Sequence, residues 1–204
     1  MAASRGPYAK GVAKREEILR VALEVIARQG YRKTSTRELA AAAGLSEAGL
    51  LHYFGSKEEL FAAVLRARDE ADAARVAGTV SGDGAGGRAD AIAMLSAIVR
   101  HNRTVPGLVQ LYSTFSAEAG DPEHGSHEYF VERYDALRAA LGAAVRERQA
   151  AGTFHPKADP ESIATLLIAL SDGLQVQSQY QLGADPADLM NHLIDLLAGA
   201  PKNR

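Results

Sequence analysis

Residues 34–60 read TSTRELAAAAGLSEAGLLHYFGSKEEL, and this stretch decides the fold. Ser35 and Glu38 have the S-x-x-E spacing of a capping box, which predicts a helix opening at Thr36. Arg37-Glu38-Leu39 and the alanines that follow are strong helix formers. Gly44 is placed to stop that helix, because a residue tolerant of positive φ closes it at little cost. Leu45 turns back over the last turn. Ser46 then caps a second short helix that runs to about Tyr53, and Gly55 ends it. Ser56 with Glu59 repeats the capping box, so a third helix starts at Lys57. Two short helices around a glycine-containing turn have helix-turn-helix spacing, which an ordinary αα-corner shares.

The detailed string goes further than the spacing. Thr34-Ser35, Leu39-Ala40, Ala43-Gly44-Leu45-Ser46, Leu50, Tyr53-Phe54 and Ser56-Lys57-Glu58 lie where the tetracycline-repressor (TetR) family carries its signature. Ile18 and Gly30 extend the match on one side and Leu60-Phe61 on the other. The region from Val12 to Asp72 therefore resembles a TetR-type reading head. The resemblance implies an all-α homodimer with an N-terminal helix-turn-helix DNA-binding domain and a C-terminal helical domain for ligand binding and dimerisation. It implies a regulator, most often a repressor, that leaves its operator when a small molecule binds. The expected domains are a flexible basic arm over 1–11, the head over 12–72 with its motif at 35–54, and the body over 73–204.

Charge supports a head that faces phosphate. The chain of 204 residues carries a net charge of −2. Residues 1–57 hold ten Lys/Arg against five acids, a balance of +5, and the remainder holds thirteen against twenty, a balance of −7. A basic head on an acidic body is the footprint of a nucleic-acid module.

Composition narrows the rest. Apolar residues make up 47% of the chain, which is enough for a real core and excludes a disordered class. The absence of cysteine excludes disulfides and thiolate metal sites and suits a cytoplasmic protein. No apolar run approaches the roughly 18 residues of a membrane span, and the N-terminus lacks an apolar signal core.

The amphipathic stretch Lys14–Gln29, with Ile18, Ala22, Val25 and Ile26 on one stripe, is expected to back the two short helices. In a helix-turn-helix the second helix presents its first residues to base edges. Here those are Ser46, Glu47, Ala48 and Gly49, with His52 one turn later. Thr34, Thr36, Tyr53 and Lys57 supply hydroxyl or ammonium donors for phosphate, and Ser35 and Arg37 complete the set beside the free N–H groups of the first helix start. Two positions depart from the family pattern: Gly49 stands for the usual Thr or Ser, and Leu51 for the usual Tyr. The reading helix has no Arg or Lys, so bidentate recognition of guanine is absent there. Glu47 can accept from cytosine N4 and Ala48 can meet a thymine methyl; Glu47 also suits the helix dipole as a plain first-turn acid. The rival reading is a helical ligand-binding module that has lost sequence-specific DNA recognition.

A long helix from Ser56 to Val76 should pack Leu60, Val64 and Leu65 on the head and leave Arg66, Arg68, Asp69, Glu70 and Asp72 in solvent. Gly78–Arg88 reads as a flexible loop without the Gly-Lys-Ser/Thr ending of a phosphate loop. Five further helices are expected, opening near Ala91, Pro106, Glu128, Pro160 and Pro186. The last two carry apolar residues on more than one face. Ala169, Gly173 and Val176, with Leu189, Leu193 and Leu196, are the candidate dimer surface.

No catalytic constellation is visible, so an enzyme is not expected, and no cofactor is implied. His124 and His127 have metal-like spacing beside acids, but histidines of a solvated polar loop are far commoner, and no metal site is expected. The candidate ligand pocket comprises Met94, His101, Tyr112, Phe115, Phe130, Tyr134 and Asp172, each of which also fits a plain core position. Asp172 interrupts an otherwise apolar helix and must be paired or protonated if buried. It suits a cationic or hydroxyl ligand, a dimer contact or an internal pair. The strings SAEAGDPEH and SDGLQVQ resemble the C-terminal region of a TetR branch that includes a choline-responsive repressor.

Overall fold

The computed structural model describes residues 7–80, 90–180 and 183–198. Among them are nine α-helices and no strand. They are α1 (Pro7–Gln29), α2 (Thr36–Ala42), α3 (Glu47–His52), α4 (Lys57–Val80) and α5 (Ala91–Asn102), followed by α6 (Pro106–Glu118), α7 (His127–Ala150), α8 (Pro160–Ser178) and α9 (Pro186–Ala198). A 3₁₀ turn, Tyr31–Lys33, joins α1 to α2. Among the described residues no helix is long and apolar enough to cross a membrane.

The local signals act as expected. Ser35 Oγ accepts from the Glu38 N–H at 3.2 Å, and Glu38 Oε2 accepts from the Ser35 N–H at 2.7 Å, closing the capping box of α2. Gly44 sits at φ +69°. Its N–H donates to Ala41 O and the Leu45 N–H reaches back to Ala40 O at 2.8 Å, a Schellman closure. Ser46 Oγ caps α3 by accepting from the Gly49 N–H at 3.1 Å. Asp159 caps α8, and hydrogen bonds from Ser162, the side chain first and the backbone N–H second, hold its carboxyl below the usual carboxylate range.

Several expectations need correction. Helix α1 begins at Pro7, so residues 7–11 of the expected arm are helical: proline is tolerated in a first turn, and the following residues continue the pattern. Residues 1–6 of that arm lie outside the described residues. Gly78–Val80 belong to the end of α4, and 81–88 of the expected loop lie outside the described residues. Arg68 and Asp72 are buried although they were expected in solvent. They continue the stripe of Phe61 and Leu65 at helical spacing, so position outweighs residue type.

The chain packs as two compact units, one made of residues up to Ala71 with Val105–Tyr129, the other of Asp72–Thr104 with Phe130 onward. In the first, Ile18, Ile26, Leu39, Leu50, Leu60 and Phe61 are all but fully buried. Each contributes about 1.5–3 kcal/mol. Helix α6, which a linear reading assigns to the body, lies on α1. Gly107 permits this: a Cβ there would stand 2.1 Å from Ile26 O and 2.8 Å from the Gly30 Cα. Tyr31 packs edge-on against Phe61 and Phe115, with centroids at 5.3 and 5.8 Å. In the second unit α5, α7, α8 and α9 close around Ile92, Leu141, Val145, Leu167 and Met190.

Candidate nucleic-acid interface and small-molecule cavity

The first unit presents α3 on a rigid support. Leu50 and Phe54 are buried beneath it, while Ser46, Glu47, Ala48 and His52 are exposed and Gly49 and Tyr53 half-buried. Lys14 from α1 donates to Ala43 O at 3.0 Å, so α1 caps the end of α2 as well as packing under it. The Arg15 guanidinium lies 4.8 Å from the Phe54 ring centroid. Lys10, Arg28, Arg32, Lys33, Arg37 and Lys57 of the same unit are exposed. Lys57 opens α4, where free backbone N–H groups attract an anion.

The structure redistributes some of the expected roles. The Thr34 side chain is buried, and its hydroxyl donates to Gly30 O at 2.8 Å, closing the turn after α1. It is therefore not a phosphate donor, because its proton and surface are spent internally. The Thr36 hydroxyl donates to the Glu47 carboxylate, tying the first turn of α2 to the first turn of α3. Sequence spacing did not reveal that pair, since it joins residues across the turn between two helices. Ser35 and Ser46 serve as caps and stay exposed, and His52 stacks edge-on with Tyr53 at 6.0 Å.

Burial also raises the Tyr31 phenol above its ordinary pKa, with the carboxylates of Glu118 and Glu58 adding to the effect. His124 Nδ1 accepts from the Ser126 N–H at 3.2 Å, and His127 Nδ1 lies 2.8 Å from Ala119 O. Both histidines thus organise the turn between α6 and α7. Among the described residues no cluster of three metal-ligating side chains occurs.

The seven pocket candidates separate. Tyr112 and Phe115 are buried in the core of the first unit, Phe115 against Tyr31 and Phe61, and Tyr112 under the Arg68 guanidinium at 5.9 Å. They are core aromatics, a correction that follows from α6 packing on α1. Met94, His101, Phe130, Tyr134 and Asp172 belong to the second unit. Asp172 is half-buried and accepts from Tyr134 Oη at 2.8 Å, so the carboxylate has an internal partner on α7. Phe130 and Tyr134 lie 6.3 Å apart. His101 lines a cavity of about 540 Å³ formed by α4, α5, α7 and α9 of the second unit.

On the candidate dimer face, Ala169, Val176, Leu189 and Leu196 are exposed and Gly173 is half-buried. Leu193 instead packs against the core of its own unit, because α9 turns it inward with Ile194 and Leu197. Leu166 and Tyr180 are exposed at 58% and 81%, and extend the Ala169/Gly173/Val176 stripe at the same helical period.

Comparison with known proteins gives this geometry a family. Residues 18–64 match the model of bacterial regulatory proteins of the tetR family, and residues 87–199 match the BetI-type transcriptional repressor C-terminal model. The HTH-type transcriptional regulator BetI of Rhizobium meliloti is 31% identical over 80% of this chain and 77% of its own length. The HTH-type transcriptional repressor AcnR of Corynebacterium efficiens is 44% identical over 75 residues, 37% of this chain and 38% of its own length. The chain thus spans well under half of AcnR. A transcriptional regulator of Saccharomonospora viridis, solved in complex with choline, superposes with a TM-score of 0.62 at 25% identity, covering 90% of this chain and 94% of that one. With the BetI-type model matched over more than half of the chain and a relative 31% identical over 77% of its own length, the chain belongs to the TetR family of bacterial regulatory proteins, with a C-terminal region of the BetI type.

Proposed function

We propose that this chain is a ligand-responsive transcriptional repressor that binds a pseudo-palindromic operator as a homodimer in the cytoplasm. The observation that carries the reading is the capped helix-turn-helix, with α3 exposed on a buried support in a unit that exposes several cations. Lysines and arginines supply most of the affinity through phosphate, since α3 holds no Lys or Arg. Two heads about 34–36 Å apart match one turn of duplex.

The exposed apolar stripe on α8 and α9 supports a four-helix dimer contact. The relative solved with choline supports a body that holds a small organic effector. Release then needs a coupling of about 1–3 kcal/mol between effector and DNA.

The test is fluorescence anisotropy of the purified protein on a duplex from its own upstream region, with a scrambled duplex as control, at two salt concentrations. Preference for the native duplex at physiological salt supports the reading. Equal, salt-sensitive binding to both duplexes, tested also against genomic fragments selected in bulk, points instead to a helical ligand-binding module that has lost sequence reading. Gly49 and Leu51 on α3 are the residues that favour that second reading.

A further inference from the structure

The cavity of the second unit has a definite electrostatic sign. Arg75 from α4, Arg100 from α5 and Arg148 from α7 reach it from three helices, and His101 joins them. Two acids meet this group. Asp90 accepts from Arg148 Nε at 2.9 Å, and Asp72 Oδ1 lies 3.7 Å from His101 Nε2. Three arginines against these two carboxylates leave the lining positive, and Arg75 and Arg100 stand exposed at its mouth.

Arg148 is also held in place. Besides Asp90 it has the Phe154 ring 5.4 Å from its guanidinium carbon. Asp90 is itself fixed as the N-cap of α5, accepting from the Ile92 N–H at 2.9 Å. This cation is thus oriented before any ligand arrives, which lowers the ordering cost of binding. The floor is apolar, built from Val76, Ile92, Ala97 and Ile194. Beside it, Ser96 Oγ donates to Asn191 Oδ1 at 2.9 Å, and the Asn191 amide nitrogen adds a neutral donor. The volume of about 540 Å³ is that of a small-molecule site.

We propose that this cavity binds a small organic anion, an acidic head group on an apolar body. Arginines from separate helices converge on the head, and planar guanidinium donors match a carboxylate. The aliphatic floor takes the body. A quaternary ammonium meets the wrong charge here, so the ligand class differs from the choline of the Saccharomonospora viridis relative. The Tyr134–Asp172 pair is not part of this lining. Arg75 and Val76 lie on the same helix that opens at Lys57 beside the reading helix, so an occupant touches the element that follows the head. That the anion is an effector rests on the repressor reading above; that the cavity binds it does not.

The test is isothermal titration of the full chain with sodium octanoate, with octanol and octyltrimethylammonium as neutral and charge-reversed probes. The variants are Arg75→Gln, Arg100→Gln and Ala97→Phe, each checked for an unchanged helical spectrum and melting point. Octanoate is expected to bind saturably, once per chain, and at least about tenfold more tightly than either control. Each Arg→Gln change should weaken it by about tenfold or more, and Ala97→Phe should block it by filling the floor. Octanol binding as well as octanoate, or octanoate binding untouched by both arginine changes, overturns the proposal. The arginines are exposed, so those two variants carry the test if Ala97→Phe does not fold. A separate anisotropy titration with the operator duplex reads the coupling. Octanoate bound at the arginines without any change in DNA affinity keeps the anion site and overturns its role as an effector site.

Discussion

Thr36 on α2 donates its hydroxyl to the carboxylate of Glu47 on α3, and this bond joins the two helices of the reading motif at their first turns. Glu47 therefore orients α3 as well as facing outward from it. A base reader and a brace respond differently to substitution. Glu47→Gln keeps an acceptor for Thr36, whereas Glu47→Ala removes it. We expect Glu47→Gln to keep affinity near wild type on the preferred duplex, and Glu47→Ala to weaken it and to change the ranking of operator variants. A double-mutant cycle of Thr36→Ala and Glu47→Ala on melting stability should return a coupling of about 0.5–1 kcal/mol, as befits an exposed bond. Additive losses would remove the brace from the account.

Lys57 should act through phosphate alone. It is exposed at the first turn of α4, with its ammonium 6.0 Å from the Phe61 ring centroid. Lys57→Ala is expected to weaken binding to native and scrambled duplexes by the same factor and to reduce the slope of log K against log salt by about one. Anisotropy at four or more salt concentrations measures both. A selective loss on the native duplex would assign Lys57 a part in sequence reading.

Gly107 is the point at which α6 meets α1. A methyl group there would stand 2.1 Å from Ile26 O, an atom of the backbone that cannot move aside alone. Gly107→Ala should cost about 1–3 kcal/mol by forcing the helices apart, read as a lower urea midpoint. Gly120→Ala is the control, because its nearest neighbour would be Ala117 O at 3.6 Å.

Tyr31 predicts an alkaline limit on the first unit. Burial, helped by Glu118 and Glu58, raises its phenol pKa in the folded state. The fold therefore favours the neutral ring. The associated stability is complete below the ordinary phenol value of about 10 and is lost as pH rises through the higher folded value. Tyr31→Phe should remove that loss, so its melting temperature should fall less steeply than wild type as pH rises above about 10. Parallel curves for the two proteins would show that Tyr31 does not titrate with folding.

Leu196 is 65% exposed on α9, and Leu166 is 58% exposed on α8. Charges at both sites, in Leu166→Glu/Leu196→Glu, should convert a dimer to monomer in light scattering without removing any side chain from the core of the second unit. A dimer that survives both changes would place its interface elsewhere.

Much of this molecule is legible in the chain alone. The capping boxes, Gly44, Gly55 and the prolines at helix starts act over one or two turns of backbone. They therefore placed the motif and the openings of α2, α3, α4, α6, α8 and α9 within a residue or so. Periodicity likewise predicted the buried face of α1, since a helix repeats its own geometry.

What the linear reading missed depends on groups far apart in sequence. Thr34 reads as a surface hydroxyl until the turn after α1 folds over it. Arg68 and Asp72 read as solvated until their stripe is followed past Leu65 into a packed face. Tyr112 and Phe115 read as pocket walls until Gly107 seats α6 on α1 and makes them core. The cavity's charge comes from α4, α5 and α7, three helices with no shared local signal. Backbone hydrogen bonding and helical period are properties of neighbouring residues, so the sequence by itself determined the elements and the reading motif. Which side chains meet across helices depends on how those elements close on one another, so only the tertiary structure decided the brace at Thr36 and Glu47, the separation of the aromatic candidates and the sign of the cavity.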